Sequence, residues 1–458
     1  WSGASLSWML GEGRNRETIL RPREATPPGV GRVLSSMAML LGIEKYADAQ
    51  RARLTRLLSE KLPPMLLKQL TAALNIVPAI PCINEIIRVT KSANEREPAP
   101  GFEGVMELLE TIRKRLSLYQ KDLIAVLEDA DGLIKLDETG LFDRDLIKNT
   151  KDYVAANLAK GEISISEDPL LLRLGQLKRG ITYRQNGEMT KFRQICIDEA
   201  QDFSAPELAV LVGSVDAVSS LTIVGDTGQA ISEPGRFPGW EKLRKHWKLH
   251  DELAQFVSLT VSHRSTLQIM RLADHINGEQ RTTDGRAGKP PLWYHCRNED
   301  QATEEAIGWL NRVMERYRGC LAAVLCATTA DARFVYSLLE PTFGNAVRLG
   351  DDNQFSFEEG VLVTDIERIK GLEFPHVLIW DVSAKTFGLG ERPRNLLYVA
   401  VTRAEENLAM ISWGNTSSHL PRITSKLVRG VDRSDEIEEV DEEDPVIAQY
   451  LKPDYGRD

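Results

Sequence analysis

An acidic pair, Asp198 and Glu199, directly follows the apolar run QICI in the segment QICIDEAQD. A strand that ends in two carboxylates can hand one to Mg²⁺ and the other to an attacking water, because the strand tip fixes both; this is phosphoryl-transfer chemistry. The same residues also read as two solvated acids opening the next helix, with Asp202 and Ser204 as capping groups. A second apolar run, LTIVGDTGQA, ends in Gly225 and Asp226 and then Gln229. A neutral amide there could sense a terminal phosphate through hydrogen bonds that vanish on hydrolysis, although taken alone the segment reads more simply as an ordinary glycine turn.

Two arginines follow. Arg264 stands just past an apolar run in LTVSHRSTLQI, and Arg403 stands near the end of a helical stretch in NLLYVAVTRAEENL. Charge that builds on the equatorial oxygens of a transferring phosphoryl group is stabilised by guanidinium groups, although either residue alone also reads as a surface charge. Between them, in VLVTDIERIKGLEFPHVLIWDV, the run from Lys370 through Glu373 to Phe374 separates two apolar runs and reads as a loop displaying a base and an acid.

The elements that must position these residues form an α/β alternation after residue 168. Short β-branched runs predict strands at 194–198, 221–225, 256–261, 321–327, 361–364 and 376–382, with helices at 206–212, 265–276, 303–317 and 394–403. In a parallel sheet of this kind, polar residues just beyond the strand C-termini face the ligand crevice. From about residue 33 to 130 the apolar residues recur at three and four, which predicts helices separated at Pro63-Pro64 and at 95–101.

In this order, DEAQD, GDTGQ, HRST, KGLEF and YVAVTRA resemble motifs II to VI of superfamily 1 helicases of the UvrD/Rep type, over residues 195–410. The resemblance implies an α/β fold of two RecA-like parallel-sheet domains, the first incomplete at its N-terminus, with an inserted helical region. It also implies ATP hydrolysis at the cleft between those domains, with ATP and Mg²⁺ as cofactors and single-stranded DNA or RNA as partner. By motif match, Asp198 would hold Mg²⁺, Glu199 would activate water, Gln229 would contact the γ-phosphate, Arg264 and Arg403 would act as arginine fingers, and Glu373 would face the ribose. Thr364, before KGLEF, is the candidate for the nucleic-acid track, one place earlier than the usual Thr, whose slot Asp365 takes. The stretch ISEDPLLLRLGQLKRG is similar to the corresponding part of the HelD-type branch, helicase-like ATPases that work on RNA polymerase, so RNA polymerase is a second candidate partner. A non-catalytic nucleic-acid or protein binding module is the rival of another class.

The chain departs from the family in three places. No G-x-x-x-x-G-K-[ST] occurs: Gly11-Glu12-Gly13 lacks the Lys-Thr, and Gly288-Lys289 runs into Pro290. That loop is the phosphate cradle of such enzymes. With Trp rather than Met at position 1, we expect a P-loop upstream and read the chain as a C-terminal portion. The spacing from Arg264 to Lys370 leaves no room for the large 2B insertion of UvrD and Rep. After GDTGQ comes AISEPGRFPGW, where Phe237 and Trp240 either stack on bases or pack a Pro/Gly loop.

The expected domains are a mainly helical inserted region at 1–165, the C-terminal part of the first RecA-like domain at 166–262, the second RecA-like domain at 263–416, and an acidic tail at 417–458. The net charge of −10 does not decide against a nucleic-acid groove, since 435–444 (DEIEEVDEED) concentrates acidic residues in a stretch read as a solvated tail. With 42% hydrophobic and 27% charged residues, the 458-residue chain is neither disordered nor collagen-like. Its five cysteines form no C-x-x-C pair, which argues against a zinc ribbon or a secreted disulfide framework. No apolar run reaches membrane-spanning length and no signal peptide is evident, so the expected location is cytoplasmic.

Overall fold

The computed structural model describes residues 19–21, 26–59, 79–96, 102–116, 119–179, 183–185, 188–231, 236–249, 254–279, 282, 284–351 and 355–435. The Gly11-Glu12-Gly13 segment, Pro63-Pro64 and the acidic stretch beyond Asp435 lie outside the described residues. The chain divides into two compact units, one of 1–226 with 232–255 and one of 227–231 with 256–458.

The first unit is mainly helical, as the three-and-four spacing predicts. The helices Met37–Ser59, Tyr119–Glu128, Arg144–Lys160 and Asp168–Arg179 bury one stripe each, and Leu40, Ile43, Leu123, Ile147 and Leu170 meet in a common core. The helix Arg144–Lys160 starts where the Asp143 carboxylate accepts the Leu146 N–H at 2.7 Å and stops where Gly161 turns left-handed at φ 69°. An almost fully buried ion pair lies inside this bundle. Lys178 donates to Asp122 at 2.5 Å with both side chains almost fully buried, and burial lowers the lysine pKa despite that partner.

Three strand pairs belong to this unit. β1 (Ile19–Arg21) and β2 (Glu162–Ser164) run parallel, β3 (Tyr183–Gln185) and β4 (Glu188–Thr190) antiparallel, and β5 (Ile195–Ile197) and β6 (Leu221–Ile223) parallel. β5 and β6 are the expected strands before the acidic pair and before GDTGQ, each shorter than predicted.

The second unit is an α/β sheet. A short pair, β7 (Val261–Ser262) with β8 (Asp284–Gly285), precedes it. Its seven strands are β9 (Leu292–Cys296), β10 (Leu321–Cys326), β11 (Val347–Leu349), β12 (Gly360–Asp365), β13 (Phe374–Ile379), β14 (Ala404–Trp413) and β15 (Arg429–Asp432). They lie in the order β11-β12-β10-β13-β14-β9-β15, every pairing parallel. Successive side chains leave opposite faces of a strand, so an apolar strand feeds two cores. Ala323 and Leu325 of β10, Leu362 of β12 and Met410 of β14 pack on one face with the helices Leu267–Asn277 and Glu391–Thr402. Ala322, Val324, Val363 and Ile411 pack on the other with Glu299–Arg316 and Thr329–Phe343. The α/β class expected from the sequence is therefore what the structure shows.

One predicted strand differs. In 256–261 the ladder is confined to Val261 and Ser262, and Phe256, Val257 and Leu259 are exposed. A β-branched run becomes a strand only where a neighbouring edge takes its hydrogen bonds, which local propensity does not report. Strands β9, β11, β14 and β15 were not anticipated; β14 continues almost directly from a helix at Ala404, without a breaker residue to mark the change.

His376 on β13 is fully buried, accepts from the Asn407 amide at 3.0 Å and lies against the Tyr317 ring with centroids 4.4 Å apart. Burial drives its pKa down to about 4, with Glu406 pulling weakly the other way. The unfolded chain, with an ordinary histidine near pH 6.5, holds the proton more tightly, so stability is full above that pH and is lost as pH falls toward the folded value. Acidification from pH 7 to 4.5 should cost this unit about 2–3 kcal/mol through His376, read by urea unfolding, and His376→Gln should flatten that part of the pH profile.

Candidate active site

The acidic pair is held by its own turn. Val224 N–H donates to Ile197 O at 2.8 Å and Ala200 N–H to Val224 O at 2.9 Å, which locks the tip of β5 to the tip of β6. Asp198 is exposed at this tip, and its Oδ1 accepts the Glu199 N–H at 2.8 Å. Glu199 sits at φ 51°, a left-handed conformation that costs a non-glycine residue about 1–2 kcal/mol. The buried Gln201 side chain donates to the Glu199 carboxylate through Nε2 and accepts the Asp226 N–H at 3.0 Å through Oε1. Gln201 was not anticipated; the available signal was an amide in DEAQD between two residues expected to be solvated.

Ser204 does cap the following helix, Ala205–Gly213, in a reciprocal box with Glu207. Arg236 closes on that box, donating to Asp202 O at 2.9 Å and pairing with Glu207 at 2.9 Å. The acidic pair thus stands on a turn whose backbone and side-chain groups are tied from three directions.

In the second unit the two groups expected on the phosphates are in direct contact. Arg403 Nη2 donates to Gln229 Oε1 at 2.7 Å. The guanidinium is 1% exposed, so the surface-charge reading is corrected: it is a buried cation that also donates to Val399 O at 3.3 Å and Leu372 O at 3.2 Å. A buried charge persists only with such partners. The turn carrying Gln229 is held at two further points, by Lys370 Nζ on Gln229 O at 2.9 Å and by Asn395 Nδ2 on Ala230 O at 2.7 Å. Asn395 was missed by sequence reasoning; it is a polar residue in the apolar helix that ends at Arg403.

Arg264 and Glu373 form an ion pair, the arginine exposed and the glutamate largely buried. The segment after Arg264 is fixed by Thr266 N–H donating to Glu405 O at 3.1 Å, and Arg286 donates to that oxygen at 3.0 Å and to Arg264 O at 3.3 Å. The structure therefore brings Gln229 to Arg403 and Arg264 to Glu373. It places Asp198 and Glu199 together in the other unit.

The remaining candidates behave differently. Thr364 is fully buried, its hydroxyl donating to Gly350 O at 3.0 Å, so this side chain presents no polar group to a nucleic-acid strand. Phe237 and Trp240 stack edge to face at 5.3 Å and pack, half-buried, against Ile197, Leu208 and Leu243. Among the described residues no cluster of three or more His, Cys, Asp or Glu could hold a metal ion. A single carboxylate such as Asp198 fits Mg²⁺ all the same, because that ion keeps most of its waters and is completed by substrate phosphates.

Residues 360–411 match the family model of the UvrD-like helicase C-terminal domain. Among solved structures, the C-terminal domain of a possible DNA helicase from Lactobacillus plantarum WCFS1 is similar at 25% identity, covering 36% of this chain and 97% of that one with a TM-score of 0.31. The helicase nonstructural protein 10 of an arterivirus is similar at 20% identity, covering 50% and 41% with a TM-score of 0.26. No curated protein matches the chain.

Gly225 makes the acidic turn possible. A Cβ there would lie 2.6 Å from Gln201 Oε1 and 2.9 Å from Ala200 N. Gly225→Ala should therefore destabilise the first unit by about 1–3 kcal/mol, measured by thermal unfolding, because backbone must shift to admit the methyl group. Over 360–411, from β12 through the KGLEF loop and Arg403 to β14, the chain is similar to the UvrD-like helicase C-terminal domain.

Proposed function

We propose that the protein is a UvrD-like superfamily 1 ATPase that uses Mg·ATP to move along single-stranded nucleic acid. The observation that carries this reading is the buried Arg403 guanidinium bonded to the Gln229 amide, two groups that the motif order assigns to the same phosphate. Asp198 would hold Mg²⁺. Glu199 would take a proton from the attacking water as its oxygen bonds to the γ-phosphorus and the bond to the β-phosphate oxygen breaks. Gln229, Arg264 and Arg403 would stabilise charge on the phosphoryl oxygens, and Glu373 would meet the ribose. The domain division of the sequence reading belongs to this proposal, with RecA-like domains at 166–262 and from 263, except that the second runs past 416 to β15 (Arg429–Asp432), a strand of its sheet, so the expected tail does not begin at 417.

The ATP-holding lysine loop is not in this sequence, so hydrolysis is to be measured in a form that includes a P-loop segment. Several apolar helix faces of the inserted region, those of Met37–Ser59 and Tyr119–Glu128 among them, are packed into the helical core. That favours a nucleic-acid motor over an arm that grips RNA polymerase. Among the described residues no helix is long and apolar enough to cross a membrane.

Single-stranded DNA should stimulate hydrolysis and bind with an affinity that falls linearly with salt on a log–log plot. Absence of both binding and stimulated turnover would overturn the proposal. Glu199→Gln should retain Mg·ATP binding and lower turnover about 10²- to 10⁴-fold, in a single-turnover assay. Arg264→Ala is the cleaner arginine test, since that side chain is exposed and its loss spares the core. Turnover should fall by about 10³ or more with a much smaller change in nucleotide affinity.

A further inference from the structure

The helical unit holds a cavity of about 380 Å³ that the candidate active site does not use. Its wall is mostly apolar, including Met37, Leu41, Leu141, Phe142 and Phe237; Arg32, Lys242 and Lys245 bring positive charge to it, and His246 lies beside them. Most of the charge is already matched. Lys242 pairs with Glu138 at 2.8 Å and His246 Nε2 with Glu44 at 3.3 Å. The Asp137 carboxylate is satisfied by the N–H groups of Thr139, Leu141 and Phe142 at 2.9–3.0 Å.

Arg32 is the exception. It projects from the short helix Pro28–Leu34, and its Nε is buried without a hydrogen-bond partner among the described residues. A buried donor in that state costs about 1–3 kcal/mol; because Nε itself has almost no accessible surface, a ligand in the cavity would meet the side chain at its terminal nitrogens. The planar guanidinium fork fits a carboxylate edge-on, and a wall of methionine, leucine and phenylalanine calls for a hydrocarbon body behind that carboxylate. The volume lies within the range of small-molecule sites.

We propose that this cavity binds an amphipathic monocarboxylate, its aromatic or aliphatic body seated among Met37, Leu41, Phe142 and Phe237 and its carboxylate on Arg32. The site is separate from the nucleotide chemistry and does not depend on it.

Isothermal titration of the whole chain with phenylbutyrate and with its neutral amide, phenylbutyramide, tests this directly. The acid should bind one site per chain at least about tenfold tighter than the amide, the difference being the charge-assisted pair. Arg32→Met should abolish that preference, bringing the acid's affinity to that of the amide or below. Leu141→Asp provides a second variant, because Leu141 is 42% exposed and its replacement leaves the core intact. A like charge at the mouth should weaken the acid several-fold more than the amide. Equal affinity of acid and amide, an acid preference that survives both substitutions, or no binding of the acid at millimolar concentration would each overturn the proposal.

Discussion

The second unit is organised around one buried cation. Arg403 caps the helix Glu391–Thr402, and its guanidinium reaches Val399 O in that helix, Leu372 O in the KGLEF loop and the Gln229 side chain. A guanidinium cannot shed its proton to escape burial, so each acceptor around it is obligatory. Removing any of them leaves a buried donor facing nothing. The cost of burying the charge thus becomes a geometric constraint on three separate segments, and the turn around Gln229 takes its position from it.

The parallel sheet sets those segments in place. Its central strands are apolar on both faces, with Ala323 and Leu325 turned to one core and Ala322 and Val324 to the other. Such a sheet leaves polar residues to the loops at its strand ends. Asp365, at the end of β12, accepts from the Thr329 hydroxyl at 2.9 Å and the Arg368 N–H at 3.1 Å, so the slot after Thr364 has structural work of its own. Thr364 itself faces inward.

Strain accompanies the acidic edge in the first unit. Glu199 is held left-handed between an exposed Asp198 and a fully buried Ala200, and Gln201 ties it to the turn that begins at Gly225. Positive-φ residues without a glycine persist only where the surroundings over-determine them. Here the surroundings are two strand tips joined by backbone hydrogen bonds and a capped helix that begins at Ala205.

The sequence by itself determined the class of chemistry and the order of its parts. Two acids after an apolar run, an amide after the next, and two arginines near element ends are one-dimensional patterns, readable because strand and helix periods repeat along the chain. The strands β5, β10, β12 and β13 and the helix leading to Arg403 were legible for the same reason. Which polar groups meet was decided by the tertiary structure. Arg403 alone reads as a surface charge, Asn395 and Gln201 as incidental amides, Thr364 as a ligand contact and 256–261 as a strand. Each reading changed because burial and pairing depend on neighbours the local pattern does not show, 14 residues away for Thr364 and Gly350 and 174 for Gln229 and Arg403. Local propensity carries no term for such partners, and a buried charge or an edge strand is defined by them.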